Sequence, residues 1–328
     1  MNSTAATQTA AFYRDARRSL SHLLVHLPQQ SQLFRELLGG KPVNAGTAGL
    51  VTGWANDYAT ARDLVGRVPA PVSAEPARDL YRLGAALYVE SARTLAGAGG
   101  TADQVGEVRA ARRLQLLGDT AFDAGHRLVL PATDGGEITV DRPAPVPVPD
   151  FAAAGVAPPD PAPPRAAPPD DRGALLSRIA ELSGRTSVWL TGGAAVPGGY
   201  QAAAGELRGL VAAMVPAGEP TVDDSTSALA LSALVDAEAL RNPTVSDGAR
   251  RLHLIAAGLW SVGRELAGRG SGPAGAVPSL PSSGLDPALL DAGGLFNGHP
   301  PPLRPGESPD KDVPGGFPSL SGVLAGGG

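Results

Sequence analysis

Cysteine is absent from the 328 residues of this chain. Its absence excludes disulfide bonds, thiolate metal sites and a cysteine nucleophile. Aromatic residues are scarce at 4%, so we expect hydrophobic cores built from leucine, valine and alanine, packed helix against helix. No apolar run approaches the roughly 20 residues that are needed to cross a bilayer. The sequence therefore predicts a cytoplasmic protein without a membrane span.

Charge of either sign is modest, and 27 basic against 32 acidic residues leave a net charge of −5. Nucleic-acid-binding proteins usually carry a clear basic excess, so we expect no nucleic-acid partner. The glycine-rich stretches lack the lysine and the serine or threonine of a phosphate-binding loop. The sequence accordingly predicts no cofactor.

Glycine and proline are abundant, at 43 and 32 residues, and their uneven distribution divides the chain. Residues 1–141 and 171–268 carry helical periodicity, which predicts an all-α protein with two tandem bundles of about four helices each. Residues 142–170 are dominated by proline and alanine, which predicts an extended, semi-rigid linker. Residues 269–328 contain too little apolar surface to offset the entropy of ordering, and we expect a disordered tail there.

The periodicity also places the individual helices. The first bundle is expected to begin with one or two helices over 10–38, interrupted near Pro28 because proline ends or kinks a helix. Its other helices are expected over 47–68, 73–95 and 101–128. The helices of the second bundle are expected over 173–190, 199–215, 223–241 and 246–267.

A change of period follows the first bundle. Leu128-Val129-Leu130 and Ile138-Thr139-Val140 flank Asp134-Gly135-Gly136, a pattern typical of a β-hairpin with a glycine turn. We therefore expect a small hairpin near 128–140. Because an isolated hairpin is marginally stable in water, it would have to lie against the bundle.

An internal repeat links the two bundles. Residues 111–117 read Ala-Arg-Arg-Leu-Gln-Leu-Leu, and residues 249–255, which stand 138 positions later, read Ala-Arg-Arg-Leu-His-Leu-Ile. At the same spacing Phe122 corresponds to Trp260. This pattern predicts a duplication whose copies could pack as a pseudo-twofold intramolecular dimer. The alternative is two unrelated helical domains of similar composition.

Two apolar islands interrupt the tail, one within 285–296 and one within 317–324. Apolar residues in a flexible segment can bind a groove or a sheet edge of a partner. The pattern favours a non-enzymatic scaffold or adaptor that docks a protein partner. The residues expected to make this contact are Leu285, Leu289, Leu290, Leu295, Phe296, Phe317, Leu320, Val323 and Leu324.

Two other functions stay open. A cleft between the bundles could hold a small molecule or a lipid, with Trp54, Trp189 and Trp260 either lining it or serving as core anchors. The third alternative is an enzyme whose active site is not recognisable from the sequence.

Two pairs of titratable residues are interpreted as structural. His22 and His26 lie on one helix face, but no third metal ligand is evident, and we predict no metal site. Asp119 and Asp123 have the same spacing and are interpreted as a solvated helix face.

Overall fold

Most segments that have helical periodicity in the sequence form α-helices in the described part of the chain. The structure is a computed structural model that describes residues 3–133, 172–192, 199–215, 223–241, 244–269 and 277–290. Within these ranges no residue belongs to a β-strand. The predicted all-α class is therefore confirmed for this part of the chain, and the predicted linker over 142–170 lies outside it.

The helices fall into two groups along the chain. The first half contains α1 (Ser3–Leu24), α2 (Leu27–Leu38), α3 (Ala45–Arg67), α4 (Glu75–Gly97) and α5 (Gln104–Thr133). The second half contains α6 (Arg172–Leu190), α7 (Tyr200–Met214), α8 (Asp224–Ala239) and α9 (Asp247–Arg269). Most helix ends lie within a few residues of those predicted, although the first helix begins seven residues earlier, at Ser3 instead of residue 10.

Local chemistry fixes several of these ends. Pro28 stands in the first turn of α2, where a helix tolerates proline, and this explains the break after α1. The side chain of Asn44 accepts a hydrogen bond from the Thr47 backbone N–H at 2.9 Å and caps α3. Asp223 caps α8 in the same way, through the Thr226 N–H at 2.8 Å.

The predicted hairpin near 128–140 is wrong at its first strand. Residues 128–130 belong to α5, which continues to Thr133. Val129 follows Phe122 by seven residues, so both lie on one helix face, and both are buried in the core of the first half. Burial of that face stabilises the helix, whereas a strand would turn successive side chains to opposite sides. The second predicted strand, 138–140, lies outside the described residues.

The core of the first half is rich in aromatic rings, which the low overall aromatic content did not lead us to expect. The ring of Tyr88, on α4, lies 5.5 Å from that of Tyr58 on α3 and 5.7 Å from that of Phe122 on α5. All three side chains are buried. Three of the chain's few aromatic residues therefore meet where α3, α4 and α5 pack together.

The two halves pack directly against each other, α4 against α9 and α5 against α8. Leu83 and Leu117 of the first half belong to the same buried cluster as Leu234 and Ile255 of the second. At the contact of α4 with α9, a Cβ added to Gly258 would lie 2.9 Å from a methyl carbon of Leu83. A larger residue at position 258 would therefore require Leu83 to move, and the two halves share this core, here called the shared core.

Part of the predicted disordered tail is ordered. Residues 277–290, here called the docked segment, run without helix until a 3₁₀ turn at Pro287–Leu289 and lie against the second half. The expectation of disorder from residue 269 onward is therefore wrong for this stretch. The other tail residues, 270–276 and 291–328, lie outside the described residues.

Candidate functional site

The docked segment is held first by apolar contacts. Val277, Leu280, Leu285 and Leu290 are half-buried and pack against the shared core. Each half-buried aliphatic side chain contributes on the order of 1 kcal/mol. Together these contacts offset part of the entropy that is lost when the segment is ordered.

Side chains of the body also bind the backbone of the docked segment. The indole Nε1–H of Trp260 on α9 donates to the Pro278 carbonyl at 2.8 Å. The Ser187 hydroxyl on α6 donates to the Ser283 carbonyl, also at 2.8 Å. These bonds satisfy carbonyl groups that helix or sheet would otherwise have paired.

A third bond reaches the first half of the body. The guanidinium of Arg62 on α3, itself buried, donates to the Leu290 carbonyl. The carboxylate of Asp63 holds the same guanidinium, with its Nε 2.8 Å from the Asp63 oxygen. The docked segment therefore contacts both halves, α3 of the first and α6 and α9 of the second.

Two glycines allow the segment to lie close to α6 and to turn. A Cβ added to Gly184 on α6 would lie 2.9 Å from the ring of Pro281, so the helix surface must lack a side chain there. Gly284 has a φ of +62°, a left-handed conformation that favours glycine. Two residues later the Asp286 side chain accepts from the Ala288 N–H at 2.9 Å and caps the 3₁₀ turn. The turn at the end of the segment is thus encoded locally, by Gly284 and Asp286.

The structure brings together only some of the predicted docking residues. Leu285 and Leu290 pack against the shared core, while Leu289 is half-buried on the 3₁₀ turn and outside that set. The remaining predicted docking residues lie outside the described residues: Leu295, Phe296, Phe317, Leu320, Val323 and Leu324. Sequence reasoning named Trp260 only as a possible cleft residue or core anchor, and it missed Arg62 and Ser187, because nothing along the chain links these three donors to residues 278–290.

The three tryptophans are divided between two buried cores. Trp54 is buried in the core of the first half, with its ring 5.9 Å from that of His26. Trp189 and Trp260 belong to the shared core, and the ring of Trp189 lies 4.5 Å from that of Tyr200. Trp260 is the tryptophan that also contacts the docked segment.

A buried polar network lies in the second half. Asp236 accepts from the Ser183 hydroxyl, and its other oxygen lies 2.7 Å from His253 Nδ1. Burial alone lowers the pKa of His253, but the Asp236 carboxylate outweighs it and raises that pKa. A nucleophilic serine has to contact the imidazole. Here both Ser183 and His253 bind the carboxylate instead, which is an arrangement that joins α6, α8 and α9.

The first half has its own buried network, at Asp119. The Tyr88 hydroxyl donates to this carboxylate, and Asp119 and Asp123 are both buried. The interpretation of these two residues as a solvated helix face is therefore wrong. α5 is covered by α1, α2, α4 and α8, so even its polar positions are enclosed. Burial raises the pKa of Asp119 to about 6, against the opposing effects of Tyr88 and of nearby Arg112.

Histidines occupy two further polar positions of the first half. His26 Nε2 lies 2.7 Å from the Asp57 carboxylate. The ring of His126 lies 5.4 Å from that of Tyr13, and burial, reinforced by the nearby charge of Arg17, lowers the pKa of His126 to about 4. Among the described residues no group of three or more histidines and carboxylates could hold a metal ion.

Ion pairs cross the interface between the halves. Arg113 on α5 binds Glu238 on α8 with nitrogen–oxygen distances of 2.8 and 3.1 Å. Arg251 on α9 binds Glu90 on α4 with distances of 2.7 and 3.1 Å. Both glutamates are buried, and two-pronged pairing to arginine is the geometry that best compensates such burial.

The charges around Glu238 keep its carboxylate ionised. Burial by itself raises the pKa of Glu238, but Arg113, Arg208 and Arg241 outweigh this effect and hold the pKa below its usual value. Arg208 on α7 lies 3.1 Å from the same carboxylate. The interface thus contains a buried charge with more than one cationic partner.

Comparison with known proteins identifies no relative of this chain. No family model, no curated protein and no solved structure matches this chain. None of the described helices combines the length and the apolar character that crossing a membrane requires.

Proposed function

We propose that this protein is a non-enzymatic adaptor, in which a helical body carries a C-terminal tail that binds a protein partner. The observation that supports the proposal most is the docked segment. Its aliphatic side chains and backbone carbonyls engage helices in the way a peptide ligand does. Tail sequence of this composition is therefore suited to binding helical surfaces.

The anchoring of the tail supports the same role. Contacts up to Leu290 attach the chain to both halves of the body. Residues 291–328, which include the second apolar island, then follow a fixed attachment point. A partner bound there would be held near the body at high effective concentration.

The body itself, in this proposal, is a pair of duplicated bundles related by a pseudo-twofold axis. The repeat relates Arg113 to Arg251, 138 positions apart, and their partners Glu90 and Glu238 stand 148 positions apart. Each arginine of one half binds the glutamate of the other. Reciprocal contacts of this kind are what a twofold interface requires.

A pair of glycines supports the same relation. A Cβ on Gly125 would lie 2.9 Å from the ring of Tyr81, and a Cβ on Gly263 would lie 2.7 Å from Leu229. The glycines are 138 positions apart and the residues facing them 148. The same two spacings thus describe both the ion pairs and the close helix contacts.

Two truncations of the tagged chain test the adaptor role. The first ends at residue 291 and keeps the docked segment, and the second ends at residue 269 and removes it. The 1–291 chain should unfold at the temperature of the full chain but lose the partner in a cross-linked pull-down from the native host. The 1–269 chain should lose the partner and also unfold at lower temperature, because the shared core and Trp260 are uncovered.

Point variants refine this test. Within the full chain, the double substitution Phe317→Ser and Leu320→Ser should reduce capture of the partner, while Ser319→Ala between them should leave capture unchanged. If the 1–291 chain captures the same partner as fully as the complete chain, the second island has no docking role and the adaptor proposal fails.

A further inference from the structure

The body surface beneath the docked segment has the features of a peptide-binding groove. We call it the tail groove and define it by Gly184 and Ser187 on α6, Thr191 directly after α6, and Trp260 on α9. Ser187 and Trp260 bind backbone carbonyls, which any sequence can offer, while the apolar contacts select for side chains. Main-chain bonds combined with spaced apolar contacts are typical of recognition of extended peptides.

The occupant carries a short motif that occurs again near the C-terminus. The docked segment begins Val277-Pro278-Ser279-Leu280, and the second apolar island begins Phe317-Pro318-Ser319-Leu320. Both stretches continue to a Ser-Gly pair followed by an aliphatic residue, at 283–285 and at 321–323. The second stretch reaches that pair two residues sooner. Neither stretch contains a charged residue.

We propose that the tail groove is a binding site for extended Pro-Ser-Leu peptides, and that residues 317–324 of this chain are its second ligand. In this arrangement the Pro318 carbonyl replaces that of Pro278 as the acceptor for Trp260, and Leu320 replaces Leu280 against the shared core. The proposal goes beyond the adaptor role, because here the body is the receptor and the tail is the ligand.

Chain length permits the exchange. Once residues 277–290 have left the groove, residues 270–316 tether the second motif to the body, and a random coil of that length spans about 38 Å on average. The second motif can therefore reach the groove of its own chain. The first motif is tethered by only seven residues, 270–276, so it holds the advantage of higher effective concentration when both are intact.

Three full-length variants test the proposal through the indole N–H of Trp260, assigned by a Trp260→Phe control. One carries Leu280→Asp and Leu285→Asp, one carries Phe317→Asp and Leu320→Asp, and one carries all four substitutions. Hydrogen exchange at the indole should be slow in the natural chain and in the variant of the second motif. With only the first motif disabled it should remain at least about fivefold slower than with both disabled, since a half-buried leucine against the core changes occupancy by about that factor.

A peptide experiment gives an independent measurement. A synthetic peptide of residues 315–326 is added to the fourfold variant, whose groove is free. It should restore the slow indole exchange in a concentration-dependent way and should compete with a peptide of residues 277–290. The same peptide with Leu320→Asp should bind at least about fivefold more weakly.

Several results would overturn the proposal. If the variant of the first motif exchanges as fast as the fourfold variant, the second motif does not enter the groove. If only the 277–290 peptide binds, the groove is specific for its own segment, and if neither binds, it is no peptide site. Circular dichroism of each variant confirms that the body is folded. Failure here leaves capture of a partner by the tail intact, because the 1–291 truncation measures that capture separately.

Discussion

At the residue scale, the buried polar side chains are the feature that the sequence hid most completely. Asp119 lies four residues before Asp123 on α5, a spacing typical of an exposed face. The structure encloses both, because four helices surround α5. Periodicity describes one helix at a time, and the number of neighbours that cover a helix depends on packing far along the chain.

Asp119 should make stability depend on pH. Its pKa is about 6 in the folded protein, above the value of about 3.9 for an unfolded chain. An acid with a raised folded pKa favours the folded state at low pH, and this contribution is lost as the pH rises from about 4 through 6. Asp119→Asn should therefore stabilise the protein at pH 7 by on the order of 1–3 kcal/mol and have little effect near pH 4.

The measurement is denaturant unfolding of both proteins at a series of pH values. Taking the difference between variant and natural chain removes the opposing contribution of His126, whose lowered pKa makes stability fall below about pH 6.5. Tyr88→Phe, which removes the hydroxyl donor, is the control for the hydrogen bond. If the difference in unfolding free energy between the variant and the natural chain is the same from pH 4 to 7, the pKa of Asp119 is not raised in the folded protein.

At the scale of single elements, the helices were predictable and the segments between them were not. Leu128-Val129-Leu130 is a short apolar run that fits a strand and a buried helix equally, and burial of Val129 against the first-half core decides for helix. The docked segment escaped prediction for another reason. Its order depends on Trp260 and Ser187, which donate from two helices that its own sequence does not specify.

Leucines of the docked segment should differ in importance. Leu285 packs against the shared core, whereas Leu289, four residues later, does not belong to that set. Leu285→Ser should lower the free energy of unfolding by about 1 kcal/mol and increase amide exchange across 277–290. Leu289→Ser is the matched control and should change both quantities much less. Equal effects of the two substitutions would mean that the packing of Leu285 is not what orders the segment.

At the scale of the whole molecule, one of the two buried cores contains side chains of both halves. The repeat pointed to α5 and α9, and these two helices do lie at the interface. Their arginines Arg113 and Arg251 are part of the repeated motif. The glutamates that they bind, on α4 and α8, could not be assigned from the sequence, because those helices share little beyond helical periodicity. The pairing of charges across the interface is information that only the packed structure contains.

Substitution of either interface arginine should destabilise the entire body. Arg113→Met and Arg251→Met each remove one partner from a buried glutamate, while Arg208 and Arg93 remain close to Glu238 and Glu90. Because a second cation remains, each variant should lose about 1–3 kcal/mol, less than for a carboxylate left without any partner. Arg14→Met, at a largely exposed position, should have almost no effect.

Calorimetry checks this prediction directly. Since the shared core contains side chains of both halves, the natural chain and both variants should unfold in a single transition that moves to lower temperature as a whole. Two separate transitions, with only one of them displaced by each substitution, would show that the halves fold independently.

The contact of Arg62 with Leu290 determines how the docked segment responds to traction on the C-terminus. Leu290 is the last residue of the segment, and its carbonyl faces α3, while Pro278 at the other end is held by α9. A pull on the chain beyond Leu290 therefore loads the Arg62 bond before it loads Ser187 or Trp260. The attachments would therefore be loaded one after another, from Leu290 back toward Pro278.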